Sequence, residues 1–276
     1  MAYKKILTIQ DISCVGQCSL TVALPILSAC GLETCILPSA VLSTHTAGFQ
    51  GFTFRDLTDD MPDIQAHWQK EGIKFEAIYT GYLGSVKQVG YVQNILNTMG
   101  TENCVRIVDP AMADNGQLYS IFNDEYVAAM RTLCASADIL VPNITEACFL
   151  ANEEYKETYD ERYIQKLLEA LVKLGAKTIV LTGVSYAQGK TGVLVYENGQ
   201  SRYYEHDKIS KGCHGTGDVY ASAFTGALMN GKEIFEAAKI AADYTVKCIE
   251  NTQGDESHWY GAKFETALRD LIDMLA

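Results

Sequence analysis

Six short runs rich in β-branched and other apolar residues, at positions 5–9, 34–37, 77–80, 105–108, 138–141 and 177–181, alternate with segments of helical periodicity at 19–29, 63–70, 86–99, 124–136, 145–152 and 160–174. Strand alternating with helix leaves a chain few ways to fold. Neighbouring strands separated by a helix are parallel, and the crossover helices must cover both faces of the sheet. The pattern therefore predicts an α/β protein of three layers, α/β/α, with a mostly parallel central sheet. Two further runs, 192–196 and 201–205, flank Asn198-Gly199, a pair that favours a tight turn, and predict an antiparallel hairpin at one edge. Helical periodicity then resumes at 218–229, 232–250 and 262–274. No linker, charge block or repeat divides the 276 residues, so one domain, 1–276, is expected, with 41–60 as the least regular segment and a candidate flap.

The formal net charge of −12 opposes binding to nucleic acid or anionic lipid. It also repels nucleotide phosphates, so a phosphate site in this chain needs backbone N–H groups, a metal ion or a few placed cations. Nine scattered cysteines, an odd count without Cys-x-x-Cys spacing, predict reduced thiols and a cytoplasmic protein. The opening residues lack the apolar core of a signal peptide, and no run is long enough to span a membrane.

In an open parallel sheet, ligands bind beyond the carboxyl ends of the strands. The residues to inspect there are Gln10-Asp11, Thr46, Gly81-Tyr82, Asp109-Pro110, Asn143 to Glu146 and Thr182-Gly183. The strongest local signal is Gly212-Cys213-His214-Gly215-Thr216-Gly217-Asp218, which opens a helix. Glycines allow close approach to a ligand, and the first turn of a helix offers unpaired N–H groups to an anion. Asp218 repels phosphate but is suited to take the proton of an attacking alcohol. A plain glycine turn with Asp218 resting at the positive end of the helix accounts for the same residues without chemistry. Asp109 and Asp114 in one loop, with Glu146 after the next strand, suit Mg²⁺ held directly or through its waters; a solvated acidic loop is the alternative.

Two familiar nucleotide motifs fail. Gly189-Lys190-Thr191 ends like a P-loop, but Val184 occupies the position of the required first glycine, and a hairpin strand follows in place of a helix. No Gly-x-Gly-x-x-Gly follows the first strand.

Taken together, Thr8-Ile9-Gln10, Ser43-Thr44-His45-Thr46, Gly81-Tyr82-Leu83-Gly84-Ser85, Asp109-Pro110, Pro142-Asn143 with Glu146, and Gly215-Thr216-Gly217-Asp218 resemble the vitamin B6 kinases of the ribokinase-like superfamily. The resemblance covers most of the chain. It implies ATP-dependent phosphorylation of the 5′-hydroxymethyl group of pyridoxal, pyridoxine or pyridoxamine by a homodimer. Asp218 matches the family's base, and Gly215, Thr216 and Gly217 its anion hole. Asn143, Glu146, Thr182 and Gly183 fall at ATP-binding positions; Asp114 and Glu146 fall near Mg²⁺, and Asp109 and Thr182 near a monovalent cation such as K⁺. His45, Thr46, Tyr82 and Asp11 match the vitamer pocket.

The chain departs from the pattern in four places. Asp11 stands where many relatives have serine, Ser19-Leu20 replaces a frequent Gly-Asn, and Ala111 and Ala113 replace Val and Gly. An acid beside the ring favours a protonated pyridinium or an aminomethyl cation, which tilts the expected acceptor toward pyridoxamine among the vitamers. Cys213-His214 is similar to hydroxymethylpyrimidine kinases of the same superfamily, which supply the alternative acceptor.

Overall fold

The computed structural model describes residues 3–209 and 213–276; Gly212, the first residue of the glycine motif, lies outside them. The strands are β1 (Lys5–Ser13), β2 (Glu33–Leu42), β3 (Phe54–Asp56), β4 (Phe75–Thr80), β5 (Gly100–Val108), β6 (Ala113–Asp114), β7 (Gln117–Leu118), β8 (Ile139–Leu140), β9 (Thr178–Val184), β10 (Lys190–Glu197) and β11 (Gln200–Asp207). The helices are α1 (Leu20–Ala29), α2 (Met61–Lys70), α3 (Val86–Thr98), α4 (Asp124–Cys134), α5 (Ile144–Ala151), α6 (Glu161–Leu174), α7 (Thr216–Met229), α8 (Ile234–Thr252) and α9 (Leu268–Leu275), the last preceded by a 3₁₀ turn at Phe264–Ala267.

One sheet of nine strands runs β11-β10-β9-β8-β5-β4-β1-β2-β3, and β6 pairs with β7 in a separate ribbon. From β9 to β2 every pairing is parallel. Both margins are antiparallel: β10 and β11 form the expected hairpin, and β3 adds to β2 from within the irregular segment. The β10–β11 turn places Asn198 and Gly199 at φ 52° and 80°, the left-handed pair that a two-residue hairpin requires.

Side chains alternate across the sheet, as the period of two demands. Leu7, Ile9, Ile78 and Val108 pack into one apolar layer with α2 to α6, whereas Ile6, Ala77, Tyr79 and Ile107 pack into the other with α1, α7, α8 and α9. Polar caps set the starts of several helices: Ser85, Asn123, Asn143 and Asp160 each accept the backbone N–H three residues onward. The parallel topology brings the carboxyl ends of β1, β4, β5, β8 and β9 to one edge of the sheet.

Segment 41–60 is anchored at both of its neighbours. Ser43 accepts the Val15 N–H and exchanges hydrogen bonds with Thr53, the His45 N–H donates to the Val15 carbonyl, and the Nε2–H of His45 donates to the Tyr260 carbonyl at 2.7 Å. Phe49 packs on Trp259 with ring centroids 4.6 Å apart.

α7 is joined to the β1–α1 loop through one close contact. Gly215, the N-cap of α7, has φ 74°, and a Cβ built there would lie 1.7 Å from the Gln17 carbonyl oxygen. A Cβ at Gly217, two residues later, would meet nothing within 4 Å. Gly215→Ala is therefore expected to lose more than about 2 kcal/mol in urea unfolding, from left-handed strain plus the clash with backbone. Gly217→Ala is expected to unfold within about 0.5 kcal/mol of the parent.

Candidate active site

Asp218 lies in the first turn of α7, half-buried, at the edge where the parallel strands end. Burial pushes its carboxyl up to about 7; the Ser19 backbone N–H opposes the shift and the neighbouring Asp11 adds to it. Thr216, Gly217 and Asp218 form the first turn of the helix, where backbone N–H groups lack an intrahelical partner and the helix end is positive. Gly215, Thr216 and Gly217 thus precede, at the start of α7, an acid whose pKa burial raises to about 7.

Asp11 enters from β1, where Gln10 pairs with Pro38 and Ile12 with Val41, so two residues of β2 stand opposite one. This bulge lies beside the crevice, as bulges that re-aim a side chain commonly do. Asp11 is 5% exposed and accepts a hydrogen bond from the Ser13 hydroxyl at 3.0 Å. Burial raises its pKa; the Ser19 and Ser13 hydroxyls and its own backbone N–H lower it.

Asp109 and Glu146 are both buried. Burial raises the pKa of Asp109 well above the carboxylate range, with Glu146 and Asp218 adding to the shift, and burial also raises that of Glu146. Glu146 completes a capping box: its Oε2 accepts the Asn143 N–H at 2.9 Å while Asn143 Oδ1 accepts the Glu146 N–H at 2.9 Å. Glu146 Oε1 accepts the Met112 N–H at 3.1 Å, and Asn143 Nδ2 donates to the Ala113 carbonyl at 2.9 Å. These bonds fix the loop after β5 to the start of α5. Asp114 is exposed and binds Asn115.

Among the described residues, no group of three or more His, Cys, Asp or Glu converges to hold a metal ion. Glu146 spends both oxygens on N–H groups, and Asp109 spends Oδ1 on the Ala111 N–H at 3.1 Å, leaving its second oxygen. This donor set fits a hydrated divalent ion shared with phosphate oxygens, and does not fit a cage built from protein alone.

The other sequence-predicted residues divide in two. Tyr82 is half-buried after β4, its phenol raised by burial and then by Asp11 and Asp56. Thr182 and Gly183 close β9, with the Thr182 hydroxyl on the Pro142 carbonyl at 3.3 Å and Gly183 exposed. Thr46 is exposed at the lip. His45 is buried, and both its ring nitrogens are engaged, Nδ1 by the Ala47 N–H at 3.1 Å and Nε2 by Tyr260; its observed bonds hold the 41–60 segment to the late chain.

Sequence reasoning marked Ser19 only as a departure from the family pattern and did not mark Tyr119. Ser19 has an ordinary N-cap signature but lends its N–H to Asp218 and its hydroxyl to Asp11. Tyr119 follows β7, partly exposed, and its phenol is pushed up by burial and then by the charges of Glu146, Asp109, Asp114 and Asp218. No sequence signal marks it.

Residues 24–261 match the model of the phosphomethylpyrimidine kinase family. A Bacteroides thetaiotaomicron protein, assigned as a phosphomethylpyrimidine kinase and solved with pyridoxal, is 38% identical, with a TM-score of 0.92 over 98% of this chain and 96% of that one. Pyridoxal kinase from Lactobacillus plantarum is 30% identical, with a TM-score of 0.91 over 98% and 97%. The hydroxymethylpyrimidine/phosphomethylpyrimidine kinase of Bacillus subtilis strain 168 is 28% identical over 219 residues, 78% of each chain. A glycine turn and proton-holding acid at the carboxyl edge of a parallel sheet, in a chain matched almost end to end, make this protein a kinase of the phosphomethylpyrimidine/pyridoxal kinase family.

Proposed function

We propose that the protein transfers the γ-phosphoryl group of ATP to the 5′-hydroxymethyl group of a vitamin B6 vitamer, forming pyridoxal 5′-phosphate or its pyridoxine or pyridoxamine counterpart. The observation that carries this reading is Asp218, an acid pushed up to about 7 beside an unpaired helix start. An alcohol barely ionises at neutral pH, so it must be aligned with phosphorus and lose its proton as the new P–O bond forms. Asp218 in its ionised form accepts that proton, and the bond from phosphorus to the leaving ADP oxygen breaks. The N–H groups of Gly215 to Asp218 bear charge on the moving phosphoryl group. Asp109 and Glu146 would hold Mg²⁺ through its waters, and the ion supplies neutralisation of the phosphate oxygens when bound. Asn143, Thr182 and Gly183 line the nucleotide side in this reading, and Tyr82, Thr46 and Asp11 the acceptor side.

The solved relative with pyridoxal and the pyridoxal kinase relative support the B6 acceptor. A hydroxymethylpyrimidine acceptor is the second reading, favoured by the family model and the Bacillus subtilis relative. A cytoplasmic homodimer belongs to the same proposal; the scattered, odd-numbered cysteines without Cys-x-x-Cys spacing are in keeping with a reducing compartment. Among the described residues, no helix is long and apolar enough to cross a membrane.

Coupled ADP release, measured with each vitamer and with hydroxymethylpyrimidine, separates the two readings: turnover confined to the pyrimidine overturns the first. The ionised base should give kcat/KM an acidic limb with a midpoint near 7, falling toward low pH. Asp218→Asn is expected to lower kcat by about two to four decades. Near-normal turnover in that variant would put the base elsewhere.

The same shift has a stability consequence. A carboxyl whose folded pKa is raised stabilises the fold below its unfolded pKa and loses that contribution as pH rises through about 7. Asp218→Asn should therefore melt at or above the parent temperature at about pH 8.5, a calorimetric result that separates lost chemistry from lost folding.

A further inference from the structure

Phosphoryl transfer itself makes no use of Asp11. A second negative charge beside Asp218 raises the proton affinity of the base and opposes the approach of a triphosphate. Among the described residues, no lysine or arginine forms an ion pair with Asp11. The chain nevertheless supplies this carboxyl with donors, the Ser13 hydroxyl at 3.0 Å and the Ser19 hydroxyl.

Ser19 is held in an unusual way. Its backbone has φ 55° and ψ −132°, a region that glycine occupies readily and serine avoids. It is the N-cap of α1, yet its side chain makes no capping bond to the helix. An antiparallel bridge to Ile12 sets it next to Asp11. A glycine would fit the backbone and start the helix equally well; what it would lack is the hydroxyl that faces Asp11. The strain thus preserves a donor for a buried carboxylate, and a buried carboxylate is useful where a cation arrives to meet it.

We propose that Asp11 and Ser19 act as a pair that keeps a carboxylate against the acceptor, so that the site selects a hydroxymethyl heteroaromatic carrying an aminomethyl cation. This rests on the acceptor class proposed above. Tyr82, on the same side of the crevice, is within the field of Asp11. An ammonium group placed there replaces a repulsive pair of acids by an alternation of charge in a site shielded from water.

Pyridoxamine and pyridoxine differ only in aminomethyl against hydroxymethyl, and they isolate the charge. Equilibrium binding of each to the full chain without nucleotide, followed by kcat/KM for each, reads the selection. The parent is expected to prefer pyridoxamine by at least about tenfold, and Asp11→Asn to erase about tenfold of that ratio. Ser19→Gly should lower the ratio in the same direction while melting no lower than the parent, because the strained backbone is relieved; it carries the test if Asp11→Asn fails to fold. Equal affinity for the two vitamers in the parent, or a ratio unchanged in both variants, overturns the proposal. Selective binding of pyridoxamine without phosphorylation sustains the charge selection and removes the vitamer-kinase reading. Phosphorylation of both vitamers at one ratio in parent and variants does the reverse, and binding of neither removes both.

Discussion

Four carboxyl groups, Asp11, Asp109, Glu146 and Asp218, meet at one edge of the sheet, and among the described residues none of them has a lysine or arginine partner. Folding has to bear their desolvation and mutual repulsion. A shift of Asp218 from the ordinary 3.8 to about 7 corresponds to roughly 4 kcal/mol against its ionised form, at 1.36 kcal/mol for each pH unit. That is a large part of the about 5–15 kcal/mol by which a domain is stable. Two apolar layers, one on each face of the sheet, offset it. The cost is also spread over backbone and side-chain donors: Glu146 takes two backbone N–H groups, Asp109 one, and Asp11 the serine hydroxyls.

The fold was legible wherever local pattern and tertiary packing agreed. Strand–helix alternation carried the parallel sheet, and Asn198-Gly199 carried the hairpin, because a left-handed pair is a local requirement. β3 was not legible. Phe54–Asp56 is three exposed residues without alternation, and only its pairing with β2 makes it a strand. The late segment read as one helix divides into a 3₁₀ turn and α9, and only Leu271 of α9 is buried.

The candidate site was legible in the residues whose chemistry is their own. Asp218 and the glycines before it form such a case, since the motif itself opens the helix. Asn143-x-x-Glu146 has two meanings in sequence, capping box and ligand set, and the hydrogen bonds show the first in full. His45 depends on Tyr260, 215 residues away, a contact that no local spacing announces. Ser19 was hidden for a different reason. A serine before an apolar run reads as an N-cap, and only its dihedral angles reveal that the hydroxyl is turned from the helix.

In the proposed function, base and acceptor side share one support. Gly215 rests against the Gln17 carbonyl, and the β1–α1 loop that supplies Gln17 also supplies Ser19, whose N–H faces Asp218 and whose hydroxyl faces Asp11. A change in that loop therefore acts on the position of the base and on the charge offered to the acceptor together. In the proposed arrangement the two functions are adjusted through common backbone. Altering acceptor choice without disturbing phosphoryl transfer then requires substitutions that keep the loop's backbone, which is why the side chain at position 11, on a strand, is a more independent variable than the turn that follows it.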